Sequence, residues 1–362
     1  MKKYLSLFLI AVLTLGLLTG CVGTTVVVND CTCPTGSHDT PATTEPTKDT
    51  QSTEPAPETE PTEPVAEGAL KTGLAVSATA SSDKIGELKY DVLMAAVTVD
   101  DGGVIRGCVI DSIPATVTFD TTGAMTSDVA APVPTKNELG ESYGMVAYGG
   151  AKAEWNQQAA SFAEYVIGKT ADEVSGIAVD ETTKPAEGSD LSASVTISVG
   201  GFVEIVKKAV ANAQALGAQS GDELRLATQN KLSASEKGLA QLDADITAVT
   251  VKDGVVTSCI IDSLQAKVEI DDAGSITTDL TVPFATKNEL GENYGMVAYG
   301  NAKAEWNQQA AAFAAYVTGK TADEITGIAV NEATKPADGS DLSTSVTISI
   351  GGFQALVVKA LG

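Results

Sequence analysis

Apolar and polar positions follow two different periods in the last third of the chain. Residues 246–251 and 255–261 are two runs rich in β-branched side chains, separated by Lys252, Asp253 and Gly254. Two such runs around an Asp-Gly pair predict a β-hairpin. Residues 265–271 predict a third strand. This region therefore predicts a small antiparallel sheet.

After residue 300 the period becomes helical. Apolar residues recur every three or four positions from Trp306, which predicts an amphipathic helix that ends at Gly319. Thr321 and Glu324 have the spacing of a capping box and predict a second, short helix. Residues 328–330 predict a short strand. A last helix is predicted after a glycine pair, with an apolar face made of Phe353, Leu356, Val357, Ala360 and Leu361.

The same order of elements occurs twice in the sequence. Residues 135–141 return unchanged as residues 286–292, and Trp155 matches Trp306 at an offset of 151 positions. A repeat of this length indicates two whole domains. We expect a signal peptide (1–20), a tether (21–68) and two copies of one α+β domain, copy 1 (69–217) and copy 2 (218–362).

Each copy is expected to hold an antiparallel sheet with flanking helices and to fold as a separate unit. The two backbones are expected to superimpose closely. The segment that joins the copies, residues 211–221, is rich in alanine and is expected to extend the last helix of copy 1.

The start of the chain has the pattern of an export signal. Lys2 and Lys3 precede an apolar run over residues 5–18, and the small residues Thr19 and Gly20 then precede Cys21. Cys21 resembles the cysteine of a lipobox, so we expect it to be lipidated and to hold the protein on the outer, extracytoplasmic face of the cell membrane. The alternative is an uncleaved N-terminal anchor. The Thr, Pro and Glu residues of the tether predict an extended, disordered segment.

Composition excludes several classes of function. The 362 residues carry a net charge of -24, which repels phosphates and excludes nucleic acid as a partner. The one histidine, His38, lies in the tether, so neither a Ser-His-Asp triad nor a histidine-ligated metal site is expected. Two arginines, Arg106 and Arg225, leave little for clamping phosphate. A phosphate-bearing cofactor must then be held by backbone amides, by lysine or covalently.

The remaining cysteines are expected to be structural or free. Cys31 and Cys33 are too close in sequence for an unstrained disulfide, so they are either free or bonded to other molecules. Cys108 and Cys259 lie inside strand-like runs, which predicts buried free thiols.

One segment of each copy resembles a known attachment motif. Asp190, Ser194 and Thr196 in copy 1 match Asp341, Ser345 and Thr347 in copy 2. The segment is similar to the Asp-x-x-Ser-Gly-Ala-Thr-x-Thr pattern of the FMN-binding domain family, which includes subunits of Rnf-type and sodium-pumping electron-transfer complexes.

This resemblance implies that a flavin transferase links FMN through its phosphate to Thr196 and Thr347, with Asp190, Asp341, Ser194 and Ser345 as further cofactor-binding residues. It also implies an electron carrier that takes electrons from a membrane donor, with no catalytic residue of its own.

The motif departs from the family at the Gly-Ala pair, where Ser194-Val195 and Ser345-Val346 stand. The alternative is that Thr196 and Thr347 are ordinary strand residues and the aspartates turn formers. The protein would then be a non-redox binding module with the same fold. Trp155 and Trp306 are expected in the core rather than stacked on a ring system, and Tyr143-Gly144-Met145 as a structural loop rather than a pocket wall.

Overall fold

The structure, a computed structural model, describes residues 68–233 and 237–362. The predictions made for residues 1–67, which are the signal peptide, the tether, Cys21, Cys31, Cys33 and His38, lie outside these ranges. In the ranges described, no helix combines the length and the apolar character needed to cross a bilayer.

Each copy contains one three-stranded antiparallel sheet with its strands in sequential order. Copy 1 has β1 (Lys71–Ser81), β2 (Glu87–Val99) and β3 (Ile105–Thr118). Copy 2 has β4 (Glu223–Ser233), β5 (Leu239–Lys252) and β6 (Val255–Glu269). Together with the helices these sheets confirm the predicted α+β class.

The predicted hairpin at Lys252-Asp253-Gly254 is present between β5 and β6. Asp253 and Gly254 both have positive φ, 51° and 79°, as the tightest hairpin turns require. The third strand predicted at 265–271 is wrong as a separate element, because β6 runs unbroken from Val255 to Glu269. The true third strand is β4, whose polar sequence gave no strand signal.

The helices follow the sheet in each copy. Copy 1 has α1 (Lys136–Leu139), α2 (Met145–Gly149), α3 (Trp155–Tyr165), α4 (Ala171–Ser175) and α5 (Gly200–Ala211). Copy 2 has α6 (Lys287–Leu290), α7 (Met296–Gly300), α8 (Trp306–Val317), α9 (Ala322–Thr326) and α10 (Gly351–Leu361). Short 3₁₀ turns lie at Gly140–Tyr143, Asp190–Ala193, Gly291–Tyr294 and Asp341–Thr344.

The predicted helices of copy 2 are confirmed, including the capping box of Thr321 and Glu324 that opens α9. Two smaller expectations are wrong. Residues 328–330 form no strand and make only an isolated bridge from Val330 to Pro336. The joining segment does not extend α5, because backbone hydrogen bonds in both directions between Gln214 and Thr72 draw it onto the edge of β1.

The two sheets pack face to face and share one core. Strand β2 shows why, since Met94, Ala95, Ala96 and Val97 are all fully buried. Met94 and Ala96 join an inner cluster with residues of copy 2, whereas Ala95 and Val97 pack under the helices of copy 1. The molecule is therefore layered as helices, sheet, sheet, helices. The expectation of a separate core for each copy fails at the inner layer, although strands pair only within their own sheet.

Contacts across the inner layer come in reciprocal pairs. Lys208 of α5 pairs with Glu289 of α6, and the equivalent Lys359 of α10 pairs with Glu138 of α1 at 2.5 Å. Each lysine also donates to a carbonyl oxygen on the first strand of its own copy. Lys208 donates to Val76 of β1 and Lys359 to Thr228 of β4, both at 2.6 Å. Equivalent residues making equivalent contacts in both directions define a pseudo-two-fold arrangement of the copies.

Candidate functional site

Thr196 and Thr347 lie in an irregular segment just before the last helix of each copy. In copy 1 the segment follows the turn Asp190–Ala193 and ends where α5 begins at Gly200. Val195 and Val199 are buried in the outer core and hold the segment, so that Thr196 between them faces outward. The alternative that these threonines are strand residues is therefore wrong.

A buried glutamine fixes each threonine. The Thr196 N–H and Oγ1 both donate to Oε1 of Gln158, at 2.8 and 3.2 Å, while Nε2 of Gln158 donates to the carbonyl of Ala153 at 2.9 Å. Thr347 and Gln309 repeat this arrangement at 2.8 and 3.1 Å. Because Nε2 of the glutamine is already bonded to a backbone carbonyl, its Oε1 must point toward the threonine. The glutamine side chain therefore holds the threonine hydroxyl in one position.

These glutamines were not found from the sequence. The sequence does contain a sign of them: each is a polar residue on the apolar face of a predicted amphipathic helix, one turn after Trp155 or Trp306. Gln158 and Gln309 are each 1% exposed, and a buried amide must have partners inside the protein.

A small cavity lies beside Thr347. It has a volume of about 350 Å³ and is lined by Lys303, Ala304, Gln308, Gln309, Ala312, Thr344, Ser345 and Thr347. Thr347 is half-buried, whereas Thr196 is exposed. The cavity therefore brings an amine, two carboxamides and three hydroxyls together at the predicted attachment position.

The other predicted site residues are distributed unevenly around this position. Ser345 lines the cavity, but Asp341 is not among the residues that line it. Asp190 and Asp341 are exposed and each begins a 3₁₀ turn, in agreement with the turn-forming alternative. The Oγ atom of Ser194 is 3.5 Å from the carbonyl oxygen of Leu191.

The departure from Gly-Ala has a local explanation. Ser194 has φ −110° and ψ −22°, which is an ordinary right-handed conformation that needs no glycine. Val195 and Val346 are 1% exposed and fill the outer cores. The larger residues therefore serve packing at these two positions.

The tryptophans are core residues, as expected. Trp155 and Trp306 are 7% and 6% exposed and meet Phe202 and Phe353 edge to face, with ring centroids 5.6 Å apart in both copies. Lys136 lies over the Trp155 ring at 4.8 Å, so the remaining ring face is already in contact with a cation.

The Tyr143-Gly144-Met145 segment is a structural loop. The buried carboxylate of Glu154 accepts from the N–H groups of Met145 and Val146 at 2.8 and 3.0 Å, which fixes the start of α2. Glu305 repeats these contacts in copy 2. The loop is thus held by its own copy, and its counterpart in copy 2 does not line the cavity beside Thr347.

The two strand cysteines are free thiols. Cys259 is buried, as expected, whereas Cys108 is only half-buried. Removal from water raises the pKa of both thiols to about 12. They are therefore protonated at neutral pH and are not nucleophiles.

No group of three His, Cys, Asp or Glu side chains with the geometry of a metal site occurs in residues 68–233 and 237–362. Comparison with family models, with curated proteins and with solved structures gave no match to the chain. The resemblance to flavin-carrying domains accordingly rests on the residues of the attachment segment and on the layout of the chain.

Proposed function

We propose that this protein is a membrane-anchored lipoprotein that carries FMN covalently on Thr196 and Thr347 and passes electrons outward from a membrane donor. The observation that supports the proposal is the position of the two hydroxyls. They fall on the acceptor position of the family motif, and each is held at the surface by a buried glutamine.

The residues around Thr347 suit a phosphoester. The ammonium group of Lys303 offers a positive charge to the phosphate, and the carboxamides of Gln308 and Gln309 offer polar partners in the same cavity. No arginine is needed for this arrangement. FMN itself would supply the redox chemistry, and the protein would supply attachment and orientation.

The location of the protein is proposed from the sequence alone. The apolar run before Cys21 predicts export and lipidation, and the following Thr, Pro and Glu residues predict a tether. Two acyl chains on Cys21 would hold the protein stably on the bilayer. The two domains would then work outside the cytoplasm, where covalent attachment prevents loss of the cofactor.

The test is intact mass after co-expression with an active flavin transferase and FAD. The wild-type protein is expected to gain two FMN phosphoesters, Thr196→Ala and Thr347→Ala one each, and the double variant none. Ser198→Ala and Ser349→Ala are matched controls, because these hydroxyls lie two residues further along the same segments. An unmodified wild-type mass, with a known substrate modified in parallel, would contradict the flavin proposal.

The second candidate is a non-redox binding module. It is favoured by a second and larger cavity, which lies between the two copies and away from both threonines. The two cavities share one lining residue, Gln308, and are otherwise lined by different residues.

A further inference from the structure

The larger cavity lies at the seam between the copies. On one side are β1 and the end of α5, and on the other are β6 and α8. The joining segment adds Gln214 and Leu216 to its wall. The cavity has a volume of about 660 Å³, within the range of about 300–1,000 Å³ that is usual for small-molecule sites.

A comparison of the two copies shows that this seam has diverged. Residues 306–318, which include α8, differ from residues 155–167 at three positions only. Two of these, Ala315 and Thr318, line the seam cavity, and copy 1 has the larger Glu164 and Ile167 in their places. Copy 2 therefore presents less side-chain volume where its helix faces the cavity.

The charges in the cavity wall are already satisfied by the protein. Lys208 and Glu289 pair with each other across the seam. Oδ1 of Asp262 accepts from the N–H groups of Ser263 and Asn288, at 2.7 and 3.1 Å. No other charged side chain lines the cavity. A ligand with a net charge would have no free opposite charge to meet.

The rest of the cavity wall is made of carboxamide side chains and aliphatic side chains. A carboxamide both donates and accepts hydrogen bonds, so it suits uncharged polar groups of either kind. Its five carboxamides are Asn212, Gln214, Asn288, Asn307 and Gln308. The apolar part is formed chiefly by Leu74, Val76, Leu216, Ile260, Ala311 and Ala314.

We propose that the seam cavity binds an uncharged small organic molecule with an apolar body and hydrogen-bonding groups at its rim. The alanine face of α8 and the strand β1 contact the body of the ligand, and the carboxamides contact its polar groups. This proposal does not rest on flavin at Thr196 and Thr347, although Gln308 lines both cavities. It requires both copies, because each provides one wall.

The test uses three probes with one ring system and different charges. Binding of 2-naphthamide, 2-naphthoate and 2-naphthylmethylammonium to the full-length protein is measured by saturation-transfer NMR titration. We expect 2-naphthamide to bind saturably and the two charged probes to bind roughly tenfold more weakly or worse. Tighter or equal binding of a charged probe would overturn the inference of an uncharged ligand.

A matched pair of variants locates the site. Ala311→Trp places an indole in the cavity, and Ala160→Trp makes the same change at the equivalent exposed position of α3. Ala311→Trp is expected to weaken 2-naphthamide binding roughly tenfold or more, and Ala160→Trp to leave it within about twofold. Equal effects of the two changes, or no binding to the wild-type protein, would overturn the assignment.

A second variant covers the case in which Ala311→Trp fails to fold. The double change Ala315→Glu and Thr318→Ile gives α8 the residues that copy 1 already accommodates at these positions. It is expected to weaken 2-naphthamide binding while the thermal unfolding temperature stays close to that of the wild type. Ala312→Ser, the third difference between the helices, lies outside the seam cavity and is expected to change nothing. Unchanged binding by the folded double variant would contradict the proposal.

Discussion

Two aspartates, Asp111 and Asp262, lie in strands where their neighbours along the chain are mostly apolar. Both are 7% exposed, and both accept the N–H group at the start of a short helix, α1 or α6. Burial raises the pKa of both carboxyl groups, that of Asp262 to about 6. These side chains position helices at a cost, because a buried carboxylate loses its hydration.

Asp262 gives a prediction with a defined sign. Between about pH 4 and pH 6 the folded protein binds a proton at Asp262 that the unfolded chain, with its usual value of 3.8, does not bind. The contribution of this group to the free energy of unfolding therefore falls as the pH rises through this window. Asp262→Asn, which does not titrate, is expected to gain about 1–3 kcal/mol relative to the wild type between pH 4 and pH 7, measured by urea unfolding.

Asp120 provides the control with the opposite sign. It is exposed, and hydrogen bonds from the Thr122 hydroxyl and from nearby backbone N–H groups lower the pKa of its carboxyl group. Asp120→Asn is expected to lose stability relative to the wild type as the pH rises toward the usual value of 3.8, and to change little between pH 4 and pH 7. If both variants changed in the same direction, burial of Asp262 would not be the cause.

At the scale of elements, the strongest local patterns were the ones predicted correctly. The β5–β6 turn, α8 and the capped α9 each have a signal contained in a few neighbouring residues. The strands β1 and β4 are edge strands that were missed because their own residues give a weak strand signal. β1 is rich in small residues, such as Ala78 and Ala80, and β4 contains polar ones, such as Gln229 and Asn230. They form strands because β2 pairs with β1 and β5 with β4. This pairing depends on residues distant in sequence, so the local sequence of β1 or β4 does not reveal it.

The hairpin turn gives a prediction at this scale. Gly254 has φ 79°, and a methyl group added there would meet no other atom. The only destabilisation expected from an alanine is therefore the strain of a positive φ. Gly254→Ala is expected to lower the free energy of unfolding by about 1 kcal/mol. Gly149 also has open space but lies in α2, where Gly149→Ala is expected to be neutral or stabilising. Equal losses in urea unfolding would mean that the positive φ is not the cause.

For the whole molecule, the decisive feature is the shared inner layer. The repeat in the sequence showed that there are two copies, but it did not show that they share a core. The reason is that strands buried on both faces, such as β2, have no alternating pattern that would distinguish the inner face. Thr196 and Thr347 were proposed as attachment residues from the sequence, whereas the seam cavity could not be, since it needs residues from both copies.

Separation of the copies tests this layer directly. In copy 2 alone, residues 218–362, the side chains of Leu242, Ile246 and Leu264 would lose their cover, and each contributes about 1.5–3 kcal/mol when buried. We expect this fragment to dimerise or aggregate rather than remain a monomer, measured by size-exclusion chromatography with light scattering. A stable monomer that unfolds cooperatively would show that the inner layer is dispensable.

The crossed ion pairs Lys208–Glu289 and Lys359–Glu138 have a consequence for how this molecule can change. Two identical subunits in the same arrangement would always have identical seams, because every substitution would appear on both sides at once. In a single chain, Ala315 can lie at one seam while Glu164 lies at the equivalent position of the other. One seam can then acquire a cavity for a ligand while the other serves only to hold the halves together.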